Sequence, residues 1–220
     1  MNLRHLWLAA AIVLLGSASA RAQGAAAGWS GIYIGAHAGG AWNDLFYVEP
    51  DDPDAALSPK VKGLAGGVVA GYSRPLDRLI VGMEFDTGAA RGTFAAEAEG
   101  GNQYSAFEVG WNSHLRGRVA YPTGRFAPFF AAGLAALRIT VDDTDTGFGE
   151  GAATHLGWTA GGGIDAALSS QLAVRAEYLR DNYSRATHAI ASPPGPFFPG
   201  YDVEIDSTAD IFRVAVLYRF

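Results

Sequence analysis

Eight ionisable residues interrupt otherwise apolar runs, and most of them sit two positions from another: Glu84 and Asp86, Arg116 and Arg118, Asp165, Arg175 and Glu177, and Arg213. Alternate positions of an extended strand share one face. On inward faces, carboxylates and guanidiniums of both signs can neutralise one another. An enclosed interior requires it, because each unpaired buried charge costs several kcal/mol. The expected chemistry is an interior ion-pair network rather than proton transfer. The histidines add no catalyst: His5 lies in an N-terminal leader, His37 and His114 fall on inward faces, where they pack within the interior polar network, and His155 and His188 lie at or in connecting segments. No two have metal-ligand spacing such as His-x-x-x-His. The acidic stretches Glu49–Asp54 and Asp142–Asp145 could offer oxygen ligands to divalent cations, but solvated surface charge accounts for them as well. No catalytic, cofactor-binding or metal-ligating residue is assigned.

The elements that must position these groups are strands. Period-two alternation is clearest at the end, where Phe212, Val214, Val216, Tyr218 and Phe220 share one face and Arg213, Ala215, Leu217 and Arg219 the other. Similar stretches begin near Ile32, Val68, Leu79, Trp111, Trp158 and Leu172, and the segment 126–141 is apolar on both faces, so its register stays open. Eight strands result. Three connections are tight, at 74–78, 122–125 and 168–171, and four are long, at 43–61, 87–105, 142–153 and 181–207. The long ones hold most of the acid, and the last contains Ser192-Pro193-Pro194-Gly195-Pro196, which cannot continue a ladder.

Composition narrows the class. The chain is 49% hydrophobic and 17% charged, with 29 glycines and no cysteine, so disulfide scaffolds, thiolate metal sites and cysteine nucleophiles are excluded. Its longest apolar run, Leu6–Leu15, is half the length of a membrane-spanning helix. With a basic start and small residues through Ala22, that run reads as a signal peptide over 1–22, followed by a short periplasmic segment 23–28 and a barrel from 29 to 220. Removing the leader takes away two arginines, so the mature chain carries 14 − 22 = −8 and is no partner for nucleic acid.

Alternation alone fits a soluble barrel with a dry interior or a membrane barrel with lipid outside. Lipid outside is favoured by three features: aromatics near strand ends (Trp29, Tyr72, Trp111, Tyr121, Trp158, Tyr178, Tyr218, Phe220), balanced charge on the opposite face, and abundant small residues there. The fold class expected is all-β, an eight-stranded antiparallel up-and-down transmembrane β-barrel with four long extracellular loops and short periplasmic turns.

Seven segments resemble the small alphaproteobacterial outer-membrane β-barrels of the porin family, or surface-antigen type, related to the OmpA-like transmembrane domain. They are Trp29–Gly35, Gly66–Tyr72, Val81–Asp86, Leu115–Tyr121, Gly157–Ile164, Arg175–Leu179 and Tyr218–Phe220. The resemblance implies an outer-membrane location in a Gram-negative cell, both termini periplasmic, contact with outer-membrane lipid and lipopolysaccharide, and Tyr218 and Phe220 as the signal read by the barrel-assembly machinery. It implies no cofactor; the sequence departs from full OmpA-type proteins in stopping at the barrel, without their peptidoglycan-binding domain, and in its long first and last loops. Some eight-stranded outer-membrane barrels are lipid A deacylases, and His188, Ser192 and Asp181 or Glu204 are the nearest counterparts here, at unsuitable spacing. The expected function is therefore non-enzymatic: envelope integrity, with loops that contact host or surface ligands by adhesion or as antigens. A narrow passive channel for ions or small solutes and a soluble periplasmic lipocalin-like carrier remain as alternatives.

Overall fold

The computed structural model describes residues 28–50, 52–58, 60–91, 93–97, 103–143, 147–192 and 200–220. The expected signal peptide lies outside them. Among the described residues there are ten strands: β1 (Gly31–Glu49), β2 (Asp52–Leu57), β3 (Lys60–Leu76), β4 (Leu79–Arg91), β5 (Thr93–Glu97), β6 (Gln103–Ala120), β7 (Phe126–Asp142), β8 (Glu150–Ala167), β9 (Leu172–Ile190) and β10 (Tyr201–Arg219). Eight form a ring in the order β1-β3-β4-β6-β7-β8-β9-β10, and β10 pairs back onto β1 from Tyr33↔Arg219 to Val48↔Glu204. β5 extends the ladder on β6, and β2 folds back on the end of β1. The ring is an antiparallel up-and-down barrel, closed by the β1–β10 ladder.

The turns at one end are as short as expected. At Leu76–Leu79 the chain reverses through Asp77, which takes a left-handed conformation (φ 53°) that aspartate tolerates. The long connections at the other end differ from expectation, because much of 43–61, 87–105, 142–153 and 181–207 is strand. A bulge explains part of this. Between Tyr183 and Ala186 the β9–β10 register shifts, so the inward set changes from odd to even positions and the alternation breaks where a loop was expected.

The outer face carries an apolar band that includes Ile34, Val68, Met83, Leu115, Phe130 and Val216, all well exposed. Trp42 stands eleven residues from the start of β1, and Trp111 and Trp158 each stand nine from the ends of their strands. That distance matches the roughly 9–11 residues a tilted strand needs to cross a bilayer, so the tryptophans mark its outer border. Strands of 19 residues reach farther. At about 3.3 Å per residue and a tilt near 40°, they rise about 48 Å, against an apolar band about 25 Å tall. The outer half of the barrel therefore projects some 20 Å beyond the lipid.

The interior has three tiers. Trp29, Tyr33, Ala127, Phe129 and Leu217 form an apolar floor, charged residues form a belt above it, and Tyr47, Phe107, Leu137, Ile139, Val203 and Ile205 belong to an apolar column above that. Trp29 is a correction. It is 4% exposed, points inward rather than into an interfacial girdle, donates to Gly124 O at 3.4 Å and lies under Arg219. The open register of β7 resolves with Phe129, Ala131, Ala135, Leu137, Ile139 and Val141 inside and Phe126, Phe130 and Leu134 outside. Lipid on one side and the apolar column on the other give both faces of β7 the same chemistry.

Candidate functional site

The charged belt is built by residues that alternate on β4, β6, β8, β9 and β10. The β4–β6 register sets Glu84 opposite Arg116 and Asp86 opposite His114; β8–β9 sets Asp165 opposite Arg175; β9–β10 sets Glu177 opposite Arg213. Glycines hold the space open. A Cβ at Gly71 would lie 2.4 Å from the Tyr33 ring, and one at Gly133 would lie 2.0 Å from Leu115 O, so neither position accepts a side chain without displacing a neighbour.

All eight expected network residues meet in this belt. Arg116 donates to Glu177 at 2.6 Å, to Asp86 at 2.9 Å and to Glu84. Arg175 bridges Glu84 (2.5 Å) and Asp165 (2.8 Å), and Arg118 donates to Asp165 at 2.5 Å. Arg213 joins Asp86 (2.8 and 3.0 Å) to Glu177 (2.8 Å). Tyr33 donates to Glu84 at 2.7 Å, and Phe129 lies beneath the guanidiniums of Arg118 and Arg175, 4.1 and 4.7 Å from its ring centre. None of the eight is more than 6% exposed.

Two further members complete the belt: His114, expected on an inward face within the polar interior, and Asp181, expected in a connection. His114 places Nδ1 2.7 Å from Asp86 and Nε2 3.0 Å from Asp181, and Tyr183 also donates to Asp181 at 2.9 Å. Carboxylates only accept, so both ring nitrogens must donate and the imidazole is a cation. Five carboxylates (Glu84, Asp86, Asp165, Glu177, Asp181) then face five cations (Arg116, Arg118, Arg175, Arg213, His114), and the belt sums to zero. The contact joins β6 to β9, which are not neighbours in the ring, so only closure of the barrel reveals it. The inward face of position 114 placed the histidine in the polar interior, but nothing in the sequence named its partners.

The remaining candidates separate. Asp181 is committed to the belt, and Glu204 accepts from Arg185 at 3.1 Å in a partly exposed pair. His188 is buried and packs against His155, so the hydrolase-like set does not converge. His155 and His188 lie on strands β8 and β9, not in loops, with Nε2 atoms 3.0 Å apart. Burial lowers both imidazole pKa values, that of His188 to about 4. His37 lies 3.5 Å from Arg213. Among the described residues no group of three or more histidines and carboxylates is arranged to hold a metal; of the acidic stretches, residues 51, 144 and 145 and the side chains of 52–54 lie outside them. Tyr218 and Phe220 lie on the outer face at the end of β10, 39% and 71% exposed, with rings packed edge to face at 5.2 Å.

A belt of neutralised charge inside a lipid-facing ring is the arrangement of a membrane barrel, and comparison of the chain with known proteins decides its family. The profile of the outer membrane protein beta-barrel domain matches residues 8–220. The chain belongs to that family. It is 30% identical to a 22 kDa outer membrane protein of Rhizobium leguminosarum bv. viciae over 177 residues, 80% of this chain and 74% of that one. It is 27% identical to a 25 kDa outer-membrane immunogenic protein of Brucella melitensis over 197 residues, 87% and 79% of the respective chains. Among solved structures, OprG from Pseudomonas aeruginosa superposes with a TM-score of 0.64 at 13% identity, covering 87% of this chain and 96% of that one. Neisserial surface protein A superposes at 0.52 with 15% identity over 87% and 98%. These two likenesses concern the fold. This family member is an outer-membrane surface barrel of a Gram-negative cell, and the soluble-carrier alternative falls with that location.

Proposed function

We propose that the barrel is a closed, non-enzymatic surface pillar that stabilises the envelope and presents its outer rim for contact with host or environmental surfaces. One observation carries the reading: the neutral ten-residue belt spans the lumen beneath an apolar column, in a ring only just wide enough for side chains to fill. A path for ions would have to break paired charges and then wet the column. The passive-channel alternative has no comparable feature in its favour. The Brucella relatives are named as immunogenic proteins, which supports antigenic exposure of the rim here. Outer-membrane lipid and lipopolysaccharide are the expected surroundings of the apolar band. Tyr218 and Phe220 are the expected contact for the assembly machinery; cutting the chain before Tyr218 should leave it unassembled and protease-sensitive.

The test is single-protein conductance in planar bilayers, together with sensitivity of a deletion strain to detergent. A silent bilayer and a detergent-sensitive deletion support the pillar. A steady, reproducible open state removes it.

A further inference from the structure

The wall of the projecting rim is interrupted between β8 and β9. Their ladder ends at Gly157↔Tyr183, although both strands extend farther outward, β8 to Glu150 and β9 to Ile190. Each extension is held from behind: β7–β8 pairing continues to Asp142↔Glu150, and β9–β10 pairing to Tyr201↔Ile190. Two stiff panels therefore meet along a seam. The bulge at Ser184–Arg185 begins it, and a backbone bond from Gly149 N to Ala191 O, at 3.1 Å, closes its far end. The seam lies above the lipid, since His155 stands three positions beyond the border residue Trp158.

Imidazoles span the interval. His155 Nδ1 on β8 lies 3.2 Å from Ser184 O on β9, His188 Nδ1 on β9 lies 3.3 Å from Gly151 O on β8, and the two Nε2 atoms face each other at 3.0 Å. Both rings are fully buried. Their centres are 5.2 Å apart and their planes tilted by 41°, which fits a nitrogen-to-nitrogen hydrogen bond rather than a stack. The panels are tightly apposed here, because a Cβ at Gly151 would lie 2.8 Å from Ala189 O. Each panel reaches a carbonyl of the other through a histidine, so the pair clasps the wall where a ladder would otherwise run.

Protons act on this clasp directly. The Nε2 contact is a hydrogen bond only while one of the two nitrogens keeps its lone pair. With both rings protonated, two N–H groups would face each other 3.0 Å apart and two like charges would share a buried site. The closed seam therefore excludes the proton that makes both rings cationic, whereas parted panels expose both rings to water. The charged groups acting on the pair are Arg138 on β7, which disfavours a charged His188, and Asp206 on β10, which favours a charged His155. We propose that the β8–β9 rim is an acid-opened seam, held shut at neutral pH by the His155–His188 clasp and parted when both rings are protonated. Parting uncovers apolar column residues such as Ile190 at the seam's edge, above an ion-pair belt that takes no part in the clasp. Burial supports the sign: His188 is lowered from 6.5 to about 4 while buried, and an exposed ring takes its proton near 6.5. That ring alone favours opening about thirtyfold more at pH 5 than at pH 7.5.

The chain has no cysteine, so Thr154→Cys with Thr187→Cys puts one nitroxide label on each panel, at exposed positions of the outer face. Dipolar coupling between the labels is measured in the full barrel in lipid vesicles. Strong coupling is expected at pH 7.5, with a separated fraction that grows about thirtyfold by pH 5 and reverses on return. Labels at Ile164→Cys and Ala176→Cys, paired lower in the same ladder, should not respond. His155→Gln with His188→Gln should abolish the pH response, and heat-modifiability on gels checks that this variant is folded. If it does not fold, nitrogen-15 spectra of the imidazoles in the labelled barrel take its place, and both Nε2 atoms should gain protons over the pH range in which the labels separate. Equal coupling at both pH values, a response shared by the reference pair, a response that survives in the folded histidine variant, or separation out of step with ring protonation overturns the proposal.

Discussion

Arg116→Met removes the cation at the centre of the belt while keeping much of the stem's length. Three carboxylates lose a donor: Glu177 at 2.6 Å, Asp86 at 2.9 Å and Glu84. At about 1.5–3 kcal/mol per hydrogen bond to a charged group, the contacts sum to about 4.5–9 kcal/mol. That sum is too large, because each carboxylate keeps a partner. Glu84 retains Arg175 and Tyr33, Asp86 retains Arg213 and His114, and Glu177 retains Arg213. What remains is one uncompensated buried negative charge, a loss of about 3–5 kcal/mol. Adding Glu177→Gln restores neutrality, so the double variant should be more stable than Arg116→Met alone by about 1–2 kcal/mol even though it lacks one more charged group. Reversible urea unfolding in lipid vesicles, followed by tryptophan fluorescence, measures both. A single-variant loss below about 1 kcal/mol would refute the view of the belt as a neutral unit, and so would a double variant less stable than the single one.

Three further outcomes follow from other tiers. Ile205→Ala in the fully buried apolar column should cost about 2–5 kcal/mol in the same assay, whereas Val214→Ala on the exposed outer face should cost less, since no cavity forms there. Gly71→Ala drives a Cβ into the Tyr33 ring and should destabilise by about 1–3 kcal/mol; Tyr33→Leu in the same chain should recover part of the loss, and no recovery would place the clash elsewhere. For the rim histidines the sign follows from lowered values: an unfolded imidazole takes a proton near its ordinary 6.5, while folded His188 resists until about 4. Stability should therefore fall as pH drops from about 6.5 to about 4 and level off below, and His155→Gln with His188→Gln should flatten that slope.

Much of the barrel was legible because lipid outside and packed side chains inside impose period two on every strand. Arg213 and Glu177 could be placed inward from their neighbours alone, and register then joined them. Other contacts depend on closure or on irregular backbone. Nothing near His114 in the chain names Asp181, 67 residues away, because that pair forms across the lumen. His155 and His188 meet just beyond the last pair of the β8–β9 ladder, Gly157↔Tyr183, past the bulge that reverses alternation. At the outer strand ends the sequence suggests loops for a related reason. Beyond the membrane the outer wall turns polar while Val203 and Ile205 still point inward, so acid-rich sequence there is compatible with a wall as well as with a coil.

The projecting rim also bears on recognition. A partner that binds a floppy loop must first freeze it, at roughly 1–2 kcal/mol of backbone entropy per residue. Here the ladders run from the lipid to within a few residues of Glu49, Asp142 and Ile190 and are filled by a packed column, so that ordering is largely complete before any encounter. Surfaces on this wall should be recognised as rigid, discontinuous shapes made from neighbouring strands. Peptides copied from a single segment would be poor substitutes for them.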